Sequence, residues 1–279
     1  MTKRHLPIFE VLKIITLISI EQNSSISCTI IMVLLIQCKN LNTNLLMSNT
    51  SKGQASKGSK FMMQIAASQL QKKIIDTKLN DELVWLSPIE NTDYEEYQLS
   101  ENKVCDFLGI TPDKDTFAFW PARQPQWDGI AIGRNSGILY LFEAKSRLKE
   151  TKTDCYASSE ISRKLISETM WQVSNGVYGL KDRSVFDHYW MKNNYQLANR
   201  LTFLHKMQEL SAKARFYERV KLVLLNFIND TTWDEKERVS SAEQWTNHYN
   251  QIFTEMKVER NKAIEQGLIE LNYSAPYIF

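Results

Sequence analysis

WDGIAIGRNSGILYLFEAK, residues 127–145, reads as two short strands around a turn, and its register decides the rest of the fold. Trp127–Gly133 and Ile138–Lys145 each carry an apolar strand pattern. Asn135-Ser136 sits between them, with Gly137 just after. A two-residue loop at Asn135-Ser136 sets Arg134 opposite Gly137. Counting outward, Asp128 then falls opposite Glu143. A three-residue loop that used Gly137 would shift this by one position. Directly opposed residues have Cβ atoms about 4.5–5.5 Å apart. Two carboxylates held that close repel each other unless a cation lies between them. Mg²⁺ prefers hard oxygen ligands, and one or two carboxylates plus water are its usual protein provision. Lys145 lies two residues beyond Glu143, so the strand period points it to the same face. An ammonium there can orient or help deprotonate a water and stabilise charge on a phosphoryl oxygen.

An ordinary exposed hairpin with one salt bridge is the competing account, and such pairs contribute little. Two details count against it. Glu143 and Lys145 are embedded among Leu139, Leu141, Phe142 and Ala144, and Asp128 lies between Trp127 and Gly-Ile-Ala-Ile. Charges set in apolar strands are costly unless paired or ligated.

Outward from the hairpin, the pattern alternates helices and strands. Ser48–Lys60 (SNTSKGQASKGSK) reads as a flexible linker. We place the boundary there, with residues 1–54 as an extension and 55–279 as the folded domain. Phe61–Leu79 has helical spacing, and Leu83–Leu86 is a short apolar run closed by Ser87-Pro88. Tyr94–Leu108 reads as a helix with Asp93 as N-cap and Gly109 as its stop. Phe117–Trp120 reads as an aromatic strand. Ser159–Val173 and Val185–Leu210 read as helices, the second with Leu197, Leu201 and Leu204 in a stripe. Lys221–Ile228 (KLVLLNFI) has the pattern of a strand buried on both faces. Trp245–Met256 closes the series as a helix. The order predicts an α/β layered domain.

Composition bounds the function classes. Of 279 residues, 43% are hydrophobic and 24% charged, which suits a globular domain and disfavours global disorder. A net charge of +2 gives no global signal for nucleic acid. Cys28, Cys38, Cys105 and Cys155 form no CxxC pair, so free thiols are expected rather than a zinc knuckle. His5, His188, His205 and His248 lack metal-ligand spacing, and no GxSxG, Walker loop or GxGxxG occurs. The apolar runs Leu12–Ile20 and Ile26–Cys38 are shorter than a spanning helix needs. They read as a dispensable extension, a targeting segment or a docked helix. Arg147, Lys149, Lys152, Arg163 and Lys164 follow the hairpin. A phosphate track and a solvated face explain them equally well.

Trp127-Asp128 followed by Glu143-Ala-Lys145 resembles the PD-(D/E)XK nuclease superfamily, the restriction-endonuclease-like fold. Pro125-Gln-Trp-Asp128 departs from the literal Pro-Asp. The chain also resembles an uncharacterised subgroup of that superfamily over roughly residues 56–230. The matching stretches are Ser56-Lys-Gly-Ser59, Trp85-Leu-Ser-Pro88 with Tyr94-Glu-Glu-Tyr97, Phe119-Trp-Pro121, Trp127-Asp-Gly129, Glu143-Ala-Lys145 and Tyr195-Gln-Leu-Ala-Asn-Arg200. The resemblance implies an αβββαβ core, Mg²⁺ (or Mn²⁺) dependence and phosphodiester hydrolysis. It implies that Asp128, Glu143 and the Ala144 carbonyl bind the metal while Lys145 assists. It implies a further acid on the helix before the hairpin, for which Glu96 is the candidate, with Glu95 and Glu101 behind it. Gln196 and Arg200, four apart on one helix face, are expected to line the cleft, with Arg200 meeting a substrate phosphate or one of the carboxylates. The expected partner is nucleic acid, DNA ahead of RNA. A homodimer is a second candidate, and the expected location is the cytoplasm rather than a membrane. A catalytically inactive nuclease-like fold that binds nucleic acid or a protein partner is the alternative.

Overall fold

The structure is a computed structural model that describes residues 53–68, 71–112, 115–211 and 219–275. The apolar runs before residue 53, with Cys28 and Cys38, lie outside the described residues. The described chain lies within the compact unit Ser51–Ile278. Its order is α1 (Gly58–Ala67), α2 (Lys72–Leu79), β1 (Leu83–Ser87), α3 (Asn102–Leu108), β2 (Gly129–Gly133) and β3 (Ile138–Lys145), followed by α4 (Glu160–Gly176), α5 (Tyr195–Ser211), β4 (Arg219–Ile228), α6 (Ala242–Glu255), α7 (Arg260–Glu265) and β5 (Leu268–Ser274).

The five strands form one mixed sheet in the order β1-β2-β3-β4-β5. β1, β2 and β3 pair antiparallel in turn, while β4 pairs parallel with β3 and β5 parallel with β4. Parallel neighbours need a crossover. The one from β3 to β4 holds α4 and α5, and the one from β4 to β5 holds α6 and α7. Strand alternation then splits the core into two layers. Ile130, Leu139, Leu141, Leu222 and Leu224 face Leu197, Leu201, Leu204 and Ile252 from α5 and α6. Ala131, Tyr140, Phe142, Val223 and Leu225 face Phe61, Met62, Met63 and Ala66 from α1. Both faces of β3 and β4 are covered, which is why LVLLNFI reads as an almost unbroken apolar run.

Several expected elements differ. The single helix over 61–79 is two, because Ser68 turns extended (ψ 156°) after α1. The helix expected over 94–108 begins only at Asn102. Asp93 and Tyr94 both adopt φ 56°, so Asp93 caps no helix there. Residues 95–97 run on to the bridge between Tyr97 and Trp127. Burying Tyr97 at 2% exposure outweighs the local helix signal. Phe117–Trp120 is a turn, not a strand. Its aromatics serve packing: Phe119 and Trp120 lie 5.3 and 4.9 Å from the Phe203 ring of α5. The helix expected over 185–210 is interrupted. A turn at Arg183–Val185 leads into a π-turn at Phe186–Trp190, and Asn193 at φ 57° precedes α5. β5 and α7 had no counterpart in the sequence reading.

Candidate active site

The hairpin sets the geometry. Gly129 pairs with Phe142, Ile130 with Leu141, Ala131 with Tyr140 and Ile132 with Leu139. One step further along that register, Asp128 lies across from Glu143. The loop is four residues, 134–137, rather than two. Gly137 closes it at φ 64°, with its N–H donating to the Gly133 carbonyl at 2.9 Å. Adding one residue on each side leaves the register unchanged, so the pairing of the carboxylates survives the longer turn. Across the strands, the Ala144 N–H donates to Asp128 Oδ2 at 2.7 Å.

Glu143 and Lys145 share the sheet face of Leu139 and Leu141, beneath α5, and are 3% and 7% exposed. Lys145 Nζ donates to Glu143 Oε1, and also to the Ala144 carbonyl at 3.1 Å. Arg200, one turn before Leu204 on α5, reaches the other oxygen: its Nε lies 2.5 Å from Glu143 Oε2. Its NH2 donates to the Gln126 carbonyl at 2.6 Å, and its guanidinium lies 4.3 Å from the centre of the Trp127 ring. Gln196 comes from the same helix face. With Glu143, Lys145, Thr151, Tyr249 and Ile252 it lines a cavity of about 10 Å³, room for about one water. Asp128 is half-buried beside the exposed Gln126, which makes this the open side of the group.

Burial followed by repulsion from Glu143 pushes the Asp128 carboxyl up to about 7, against the pull of Lys145, the Ala144 N–H and Arg200. Burial alone would also raise Glu143. Arg200 and Lys145 outweigh it and hold that carboxyl below its usual range. For Lys145 burial works against the ammonium, but Glu143 and Asp128 prevail and its pKa is raised. The group therefore contains one firmly ionised acid, one acid kept near neutrality and a charged amine.

The donor set fits a hard divalent ion. Asp128, Glu143 and the Ala144 carbonyl offer only oxygens. Among the described residues no three His, Cys, Asp or Glu side chains gather, so the rest of a coordination shell would come from water, as is usual for Mg²⁺.

Glu96, next to the Tyr97 that bridges to Trp127, is not on a helix. It lies in the stretch before α3 and pairs with Lys60 at 3.1 Å. Glu95 pairs with Lys103 at 2.9 Å, and Glu101 accepts from the Gln98 N–H at 2.7 Å as a local cap. The helix that was to carry the extra acid starts too late, at Asn102. Most of the basic residues after the hairpin are spent on carboxylates. Arg147 pairs with Glu150 and Glu237, Lys149 with Glu237, Lys152 with Glu255 and Lys164 with Glu168.

Two neighbours of the site escaped the sequence reading. Asn226 pairs in register with Lys145 across β3 and β4 and is 1% exposed. Its Oδ1 accepts from the Tyr249 hydroxyl of α6 at 3.0 Å. A lone Asn inside LVLLNFI was a visible signal, since a buried amide in an apolar strand needs a partner. Nothing in the local sequence singles out Tyr249. No protein-family model, no curated protein and no solved structure matches the chain.

Proposed function

We propose that the chain is a metal-dependent hydrolase of nucleic-acid phosphodiesters, built on a restriction-endonuclease-like core. One observation carries the reading: Asp128, just before β2, is tied by its carboxylate to the Ala144 N–H next to Glu143, with Lys145 on the face of Glu143 and bonded to it. The sheet order supports the fold assignment, since three antiparallel strands followed by a helical crossover to parallel β4 match the αβββαβ pattern that the sequence resemblance implies. A divalent ion held by Asp128, Glu143 and the Ala144 carbonyl would supply an activated water and a Lewis acid for the phosphoryl oxygen. The chain's own residues do the rest. Glu143, ionised at neutral pH, offers a fixed anion. Asp128 on the open side adds a second carboxylate. Lys145 holds a proton at Nζ where it can stabilise charge on a phosphoryl oxygen. Gln196 and Arg200 bound the cleft from α5.

The test is cleavage of single- and double-stranded DNA and of RNA with Mg²⁺ or Mn²⁺. The wild type is expected to cut at least one of them. Asp128→Asn, Glu143→Gln and Lys145→Ala should each lose on the order of 10²–10⁴-fold in rate while remaining folded. Full activity in Lys145→Ala would remove that residue from the mechanism. A second reading, a binder that does not cleave, draws on one feature: both oxygens of Glu143 are already tied, to Lys145 and to Arg200. Nucleic-acid binding by the wild type without cleavage of any substrate would select it.

A further inference from the structure

We infer that Arg200 is a built-in counter-ion for Glu143, released when a phosphodiester arrives, so that the divalent ion and the nucleic acid load the site together. The inference rests on the metal-dependent reading above. Arg200 is 3% exposed and forms two short bonds, to Glu143 Oε2 at 2.5 Å and to the Gln126 carbonyl at 2.6 Å. Its plane lies against Trp127, which is fully buried. Lys145 holds the other oxygen of Glu143. With Asp128 ionised, two carboxylates face two cations, and the group is balanced without any metal. A divalent ion approaching Glu143 meets an ammonium and a guanidinium already on it, and repulsion between like charges is strong where water is scarce.

A phosphodiester changes that balance. It brings the negative charge that a metal-loaded group lacks. The guanidinium is the member suited to follow it, because its planar fork pairs with phosphate as well as with carboxylate. It is also well placed, since its second bond goes to Gln126, two residues from Asp128 on the open side. Arg200 in this role has two states, on Glu143 without nucleic acid and on the phosphate with it. It keeps Glu143 paired and oriented without nucleic acid, and it sets a low metal affinity in that state. A merely structural Arg–carboxylate bridge would do the first and not the second.

Titration calorimetry of the full chain at pH 8 without nucleic acid, using Mg²⁺ and separately Ca²⁺, tests this. Arg200→Gln is expected to bind the ion more tightly than wild type by about 5–150-fold, the usual range for coupled sites, while its cleavage falls. Equal or weaker binding by the variant overturns the inference and leaves the metal site standing. No binding by either protein, with or without an oligonucleotide, overturns the metal-dependent reading as well. Should the glutamine variant fail to fold, the wild type answers through the Arg200 Nε–H resonance. That signal is expected to hold its position with Mg²⁺ alone and to move when Mg²⁺ and a non-cleavable phosphorothioate oligonucleotide are added together. Movement with Mg²⁺ alone, or none with a bound oligonucleotide, overturns it.

Discussion

Asp128 concentrates the site's energetic conflict in one side chain. Its carboxyl keeps its proton up to about pH 7 in the folded chain, whereas an unfolded aspartate loses it near 3.8. The sign follows by linkage. The folded state binds more protons between those values, so the stabilisation is complete below about pH 4 and is lost as pH rises through about 7. Above that, an ionised Asp128 destabilises the metal-free protein by up to ~4 kcal/mol on the linkage relation, an upper bound for a side chain that is only half-buried. Asp128→Asn keeps the acceptor for the Ala144 N–H and removes the charge. In metal-free buffer it should raise the melting temperature at pH 8 by several degrees, roughly 2–4 °C per kcal/mol for a chain of this size. The gap should narrow at pH 5. Identical melting temperatures at pH 8 would show that the conflict is absent. A variant more stable than wild type yet inactive is the trade-off expected where like charges are held together for chemistry.

Among the elements, β2 is the one whose placement the site depends on most. Gly129 follows Asp128 and lies under α1. A Cβ there would meet Met63 Cε at 2.4 Å, the Trp85 ring at 3.1 Å and Phe142 Cβ at 3.3 Å. Met63 can yield, but the Trp85 ring and the β3 side chain have less room, since those two rings already pack at 4.7 Å, tilted by 31°. Gly129→Ala should therefore cost about 1–3 kcal/mol by overpacking. It should also disturb Asp128, its immediate neighbour, so urea unfolding and cleavage should fall together. Wild-type stability in that variant would mean that α1 can back away from the sheet without consequence. The α5 helix does the complementary work on the other face. Leu197, Leu201 and Leu204 are 6%, 0% and 0% exposed, and this anchoring fixes where Arg200 emerges.

For the whole molecule, the useful question is where the folded unit begins. Two residues ahead of the expected boundary at 55, Gly53 already bonds to the fold. The Gly53 N–H donates to Asp93 Oδ2 at 3.2 Å, and Gln64 Nε2 donates to the Gly53 carbonyl at 2.9 Å. Gln64, 4% exposed, also accepts from the Ala55 N–H. A chain starting at Ser51 should unfold cooperatively in urea. One starting at Ala55 should be less stable by ~1–2 kcal/mol, the net worth of two such bonds. Equal midpoints for the two would mean that Gly53 contributes nothing.

The sequence by itself determined the hairpin register, and with it the meeting of Asp128 with Glu143 and the common face of Lys145. It also marked β4 as a doubly covered strand and placed Leu197, Leu201 and Leu204 on the buried side of their helix. These are readings of short-range periods, 2 along a strand and 3.6 along a helix, and they survive errors such as a loop longer by two residues. Only the tertiary structure decided that α3 starts at Asn102 and so leaves Glu96 off that helix and paired with Lys60, that Phe119 and Trp120 pack on Phe203 instead of pairing in a sheet, and that β5 adds a parallel edge. It alone decided which of the expected partners Arg200 meets, namely Glu143. Arg200 lies 57 residues away in the chain, and no local pattern reports which carboxylate a guanidinium will reach once two separately formed elements pack together.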